Sequence, residues 1–377
     1  MCENPIKYGA ISIDNCIFKS SRYRFNNGVL GQLSQFKNND IKLLQTDIVH
    51  NEAIKHISEN LNKSYSSINT ALREIKLNSC LTNEGENEIN KILSNETPAH
   101  EKAIEIINLF YDKTGAILIK ANDLVKVEDV MNLYFSNKPP FEKRADKKNE
   151  FPDVFALLTL EGWAKENDTY VLAVSNDNGW INYSKTSTWI TVVRNLSDAL
   201  SLIQKKDMTD IIRLLLIKDV VDLIFIEGEV QSSVNYSSFH IDAESPFFYD
   251  YNDLSVNFYD VDFHQDDESL VEFEIVRAEE KSVTIKISCE ITIDAEAVFD
   301  FYVTDTIDHD DVLIGSSLEN VQQSYDADVF ITITGNFQED DFEKIIAKVS
   351  EVEVVSKLTN IDFGFVEPDY SGDEEDY

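Results

Sequence analysis

The chain has 377 residues, 43% of them hydrophobic, and a formal net charge of -36. That length suffices for two domains, and that apolar fraction excludes global disorder. Its four cysteines, Cys2, Cys16, Cys80 and Cys289, are far apart and form no C-x-x-C pair, which argues against a zinc site or a disulfide framework and fits a reducing compartment.

Residues 8–14 (Tyr-Gly-Ala-Ile-Ser-Ile-Asp) predict a short buried strand ending on an acid, and residues 41–46 a second strand. The run from Asp47 has helical spacing at Ile48, Val49, Ile54 and Ile57, with Asp47 suited to the N-cap. Residues 58–135 predict mostly helix, with apolar periodicity around Ile68, Leu72 and Ile75 and again around Ile104, Ile107 and Leu109. Asn137 to Asn149 is a polar loop containing Pro139-Pro140, and Pro152 suits the first turn of a helix over Asp153–Glu166. That helix is apolar nearly all round (Val154, Phe155, Leu157, Leu158, Leu160, Trp163), so it should be buried. Tyr170 to Ser175 is a continuous apolar strand followed by Asp177, and a strand (Trp189–Val193) and a helix (Leu196–Gln204) come next.

Strands alternating with helices imply a parallel sheet flanked by helices, an α/β fold. From about Ser233 the pattern changes to period-2 alternation, as in Val271-Glu-Phe-Glu-Ile-Val and Ser282-Val-Thr-Ile-Lys-Ile, which predicts an antiparallel sheet with one wet face. A helix expected over about Asp340–Val349 makes this part α+β. The expected organisation is an α/β domain over 1–205, a helical connection over 206–232, an acidic α+β domain over 233–370 and a disordered acidic tail over 371–377. Met1 to Ala10 carries charges and no apolar run, so no signal peptide is expected. The most apolar stretch, Leu214–Ile226, is broken by Lys218, Asp219 and Asp222, so a cytoplasmic, soluble protein is expected.

Lys and Arg against Asp and Glu sum to -3 over residues 1–200, which leaves -36 minus -3, or -33, for residues 201–377. Such asymmetry suggests two units with different jobs. So anionic a half repels polyanions, and its expected role is to recruit a basic protein partner or to cover a groove of the near-neutral half as a phosphate mimic; plain solubility is the alternative.

Asp14 and Asp177 follow strands, Glu52 lies in the first turns of a helix after a strand, and Asp153 starts the buried helix. In an open parallel sheet these places converge on one edge, where such folds bind ligands. Clustered carboxylates need a cation between them, and oxygen-only clusters suit Mg²⁺ or Mn²⁺. Singly, each acid reads as a turn residue, a helix cap or an exposed helix residue. No P-loop, nucleophile elbow or H-E-x-x-H pattern is present, and His56, one turn after Glu52, suits a surface role.

The segments Ile13-Asp-Asn-Cys-Ile-Phe, Asp47-Ile-Val-His-Asn-Glu-Ala, Glu150-Phe-Pro-Asp-Val-Phe-Ala-Leu and Val174-Ser-Asn-Asp-Asn-Gly-Trp resemble, in order, the four motifs of the PIN domain nuclease family. The resemblance covers roughly residues 8–205 and is nearest a bacterial PIN-like subgroup with a helical middle and an extra acidic C-terminal domain. It implies a metal-dependent endonuclease, most often an endoribonuclease, with toxin or anti-phage defence roles among its members. By position it makes Asp14, Glu52, Asp153 and Asp177 catalytic metal ligands for Mg²⁺ or Mn²⁺, with Asn15, Ser175 and Asn176 orienting them from behind. Asn15 stands where the family often has a small hydroxyl residue. Glu150, three residues before Asp153, resembles an added ligand of the related flap-type nucleases. Lys143, Arg144, Lys147 and Lys148 form a basic loop before the third motif that would grip phosphates of an RNA or single-stranded DNA substrate, or else is a solvated loop. Phe141 and Tyr134 suit the core better than base stacking. The alternatives are a non-catalytic interaction protein, with the acidic half binding a basic partner, and a phosphatase-like enzyme, which the absence of a D-x-D pair after the first strand disfavours.

Overall fold

The computed structural model describes residues 8–77, 85, 89, 98–141, 150–204, 207–217, 220–235, 237, 239–266, 270–304, 310–337, 345–356 and 358–369. The chain divides into two compact units, Met1–Ile203 and Gln204–Tyr377. The basic loop with Lys143, Arg144, Lys147 and Lys148, and the acidic tail, lie outside the described residues.

In the first unit the order is β1 (Tyr8–Ile13), α1 (Asn15–Ser20), β2 (Lys42–Thr46), α2 (Asp47–Leu77), α3 (Ala99–Thr114), β3 (Ile117–Ile119) and α4 (Val127–Ser136). It continues with α5 (Phe151–Glu166), β4 (Tyr170–Val174), α6 (Asn178–Ser184), β5 (Ile190–Val193) and α7 (Leu196–Ile203). The five strands form one parallel sheet in the order β3-β2-β1-β4-β5. β1 and β4 are central, and Ile11, Ile13 and Val171 to Val174 are fully buried, as expected for strands covered on both faces. From β1 the chain winds outward through β2 and β3, then returns to lay β4 on the other side of β1. The order therefore reverses between β1 and β4, and such a switch point opens a crevice at the carboxyl ends of the two strands.

Two details differ from expectation. α2 is capped by Thr46, whose Oγ1 accepts the Val49 N–H at 3.3 Å, while Asp47 is already helical and its carboxylate accepts the Ala121 N–H at 3.0 Å. The stretch expected to be mostly helical contains the edge strand β3. Of the apolar positions read with helical period in that stretch, Ile68, Ile75 and Leu109 are exposed and Ile107 is buried.

The second unit contains α8 (Asp207–Ile217), α9 (Leu223–Asn235), β6 (His240–Glu244), β7 (Phe248–Phe263), β8 (Glu274–Ala278), β9 (Ser282–Thr304), β10 (Asp311–Gly335), β11 (Ala347–Ser356) and β12 (Asn360–Phe365). An antiparallel sheet runs β11-β10-β9-β7, with β8 also pairing β9, and β6 pairs β12 in parallel. On β9, Ile285, Ile287, Cys289, Ile291, Ile293 and Ala295 are buried while the intervening residues face outward, the alternation visible in the sequence. α8 and α9, expected as a connection, contribute Ile211, Ile212, Leu215, Ile226 and Val230 to the core on that apolar face. The helix expected over Asp340–Val349 is corrected in its described part: Ala347 to Val349 begin β11, paired with Gly335 to Ile333. Val349, Val352 and Val354 fall opposite Ile333, Ile331 and Val329, so pairing completes the β10 edge and overrides a helical reading. Among the described residues, no helix is long and apolar enough to cross a membrane.

Candidate active site

The residue after each strand of the parallel sheet stands on its carboxyl edge. For β1 that residue is Asp14, only 6% exposed; for β4 it is Ser175, fully buried. The register that pairs Ile13 with Val174 makes them neighbours, and the Asp14 N–H donates to the Val174 carbonyl at 3.0 Å. Ser175 Oγ donates to Asp14 Oδ2 at 2.6 Å and accepts the Asp177 N–H at 3.0 Å, tying the first acid to the loop that carries the fourth.

Asp177 is the N-cap of α6. Its Oδ1 accepts the Gly179 N–H at 2.6 Å and the Trp180 N–H at 3.3 Å, so the ordinary reading of a post-strand acid as a helix cap is realised here. Gly179 is required by close approach, because a Cβ there would stand 2.8 Å from Asp177 Oδ1 and 3.0 Å from Pro140. Trp180 is fully buried, and its indole N–H donates to Asp153 Oδ1 at 2.8 Å. One residue thus touches the fourth acid through its backbone and the third through its side chain.

Asp153 sits in the first turn of α5 behind Pro152. Burial pushes its carboxyl up to about 7; the Trp180 hydrogen bond opposes this, and the charges of Asp14, Asp177 and Glu52 add to it. Asp14 is raised, first by burial and also by Asp177, against hydrogen bonds from Cys16, Ser175 and Asn15. Glu52, in the second turn of α2, is raised by burial and by Asp14 while Lys55 draws it down. The four acids therefore share one electrostatic neighbourhood. Neither Asp14, Asp153 nor Asp177 has an ion-pair partner among the described residues. Asp177 is exposed, but Asp14, Glu52 and Asp153 are buried or half-buried, and such acids in mutual range are costly without a cation.

Among the described residues no three His, Cys, Asp or Glu side chains converge as a ready-made metal cage. Oxygen-only carboxylates are nonetheless the donors of hard divalent ions that keep several waters and take one or two carboxylates directly. Glu150 precedes α5 and is half-buried. Asn15 is buried, and its Oδ1 accepts the Tyr23 hydroxyl at 3.1 Å. Asn176 is exposed, and its N–H donates to Cys16 Sγ at 3.3 Å. His56 pairs with Glu59 on the helix surface. Phe141 is buried, and Tyr134 stacks on Phe151, so both belong to the core.

Three residues at this edge carried no sequence signal. Trp180 looked like any helix aromatic. Cys16 lies 3.7 Å from Ser175 Oγ; burial and then Asp14 push its thiol up to about 12, so it stays neutral. Arg194, the residue after β5, donates from Nη1 to the Asn176 carbonyl at 3.3 Å and from Nη2 to Asn178 Oδ1 at 3.1 Å.

Residues 11–180 match the family model of the PIN domain. No curated protein and no solved structure matches the chain.

Proposed function

Because this chain carries a PIN domain over residues 11–180, a nuclease-type fold that commonly works with divalent metal, we propose that it is a metal-dependent endonuclease cutting RNA with Asp14, Glu52, Asp153 and Asp177. The observation that supports this most is the raised carboxyl of Asp153, half-buried in range of three other acids and without a basic partner among the described residues. Such a cluster costs stability unless it serves to hold a cation. Mg²⁺ or Mn²⁺ held there would activate water and neutralise charge on the scissile phosphate. The chain's own groups do the positioning. Ser175 fixes one oxygen of Asp14. Trp180 fixes one oxygen of Asp153, and the α6 N-terminus fixes one oxygen of Asp177. Asn15 and Asn176 complete the surround, and Glu150 stands in reserve for a second ion. The loop with Lys143, Arg144, Lys147 and Lys148 would hold flanking phosphates.

The test is cleavage of labelled RNA and single-stranded DNA in Mn²⁺ and in Mg²⁺, with Asp14→Asn and Asp153→Asn alongside. Metal-dependent cutting of RNA that both variants lose supports the proposal; metal-independent cutting, or cutting unaffected by either substitution, overturns it. The second unit would recruit a basic protein partner. Its outward sheet face aligns Asp262, Glu290 and Asp326 directly across three strands, a like-charge row that a cationic surface would relieve. Pull-down by a truncated 204–377 chain, lost at high salt, is the expected result; capture that salt leaves unchanged would remove this role.

A further inference from the structure

The carboxyl edge of the parallel sheet has an ordered charge pattern. In the order β3-β2-β1-β4-β5, the residues that follow the strands are Lys120, Asp47, Asp14, Ser175 and Arg194. A cation stands at each end and the acids lie between. Neighbouring strands are about 4.8 Å apart, so the two cations span roughly 19 Å, with Asp14 near the middle. Both are exposed. Arg194 has two hydrogen bonds to the loop that presents Asp177 and no carboxylate partner among the described residues. Lys120 has neither an ion pair nor a side-chain hydrogen bond there. Both cations thus stand on the edge that carries the acids without an ion pair to them among the described residues.

We propose that Arg194 and Lys120 grip the backbone phosphates on either side of the scissile one, so that a single nucleic-acid strand lies across the sheet, along its carboxyl edge. This rests on the nuclease reading above and adds the path of the substrate. Arg194 suits the task because its guanidinium is pre-set by the 176–178 loop and keeps donors to spare for a phosphate oxygen. Fixing Arg194 to that loop ties the phosphate contact to the position of Asp177. Lys120 supplies a point charge at the far side. The grip is to phosphate and therefore independent of base sequence.

The experiment is fluorescence anisotropy of the full chain with labelled single-stranded RNA, and with DNA of the same sequence, in EDTA over a range of salt. Each phosphate contact removed lowers the slope of log affinity against log salt by about 0.7. Arg194→Gln and Lys120→Gln should each show that loss on both nucleic acids. Each should also weaken binding about fivefold near 0.1 M salt, and the double variant should show the summed slope change. Arg194→Lys should restore the slope. Lys165→Gln, whose lysine pairs with Glu161 near the far end of α5, should change neither. Unchanged slopes in the Arg194 and Lys120 variants, or an equal loss in Lys165→Gln, overturns the proposal. Cleavage in Mn²⁺ is read separately: binding that depends on Arg194 and Lys120 without cleavage defeats the nuclease reading and leaves the path standing.

Discussion

The indole N–H of Trp180 donates to Asp153 Oδ1 at 2.8 Å, while the Trp180 backbone N–H is held by Asp177 Oδ1 at 3.3 Å. A fully buried aromatic side chain thereby sets the distance between two acids from different motifs. Trp180→Phe keeps most of the packing and removes the donor. The expected result is a fold intact in circular dichroism, stability lowered by about 1–2 kcal/mol, and Mn²⁺ affinity lowered about tenfold by calorimetry. Unchanged Mn²⁺ affinity would show that the bond serves packing alone.

Asp153 gives a pH prediction. Its carboxyl rises from 3.8 to about 7 on folding, so the folded chain holds its proton more tightly than the unfolded chain. Stability therefore falls as pH rises between these values: the cost is absent below about pH 4 and complete above about pH 7. Asp153→Asn removes that cost. In EDTA the variant should melt with the wild type near pH 4 and be more stable at pH 8, by on the order of 2–4 kcal/mol. A wild type at least as stable as the variant at pH 8 would refute the burial argument.

Ser175 has two jobs, donating to Asp14 at 2.6 Å and accepting from the Asp177 N–H at 3.0 Å. Ser175→Ala leaves both groups without their partner in a fully buried place. Denaturant melts should show a loss of about 1–3 kcal/mol, and cleavage should fall about 10- to 100-fold. Ser175→Thr retains the hydroxyl and should recover much of both.

At position 177 the cap and the charge can be separated. Asn caps helices as well as Asp does, so Asp177→Asn should melt within about 0.5 kcal/mol of wild type and lose metal-dependent cleavage. Asp177→Ala should lose both, with about 1 kcal/mol of stability gone. Full activity in Asp177→Asn would assign this residue to capping only.

The central strands were legible because β1 and β4 must be apolar on both faces, and their ends were legible because Asp14 and Asp177 interrupt those runs abruptly. β3 was not: it has three residues, Ile117 and Leu118 are exposed on the sheet edge, and no period can be read from so short a segment. β11 went unseen where its first residues follow an acidic stretch that suits a helix, and only its partners on β10 decide the matter. Asp14 and Asp177 stood out as post-strand residues and Glu52 and Asp153 by their places near helix starts, but the capping of α6 by Asp177 depends on a turn that Gly179 permits. Arg194 was invisible for a plain reason. A lone arginine after a four-residue strand looks like any surface cation until the 176–178 loop is seen to hold it.

The double duty of Asp177 also bears on how this sequence could drift over generations. A carboxylate that only held an ion could be replaced by almost anything once its activity ceased to matter. Here the helix start needs an oxygen at that position, so the neutral exits are narrow. A silent descendant of this chain should carry Asn or Ser at position 177 far more often than Ala or Val, while Glu52, whose side chain caps nothing, should scatter freely.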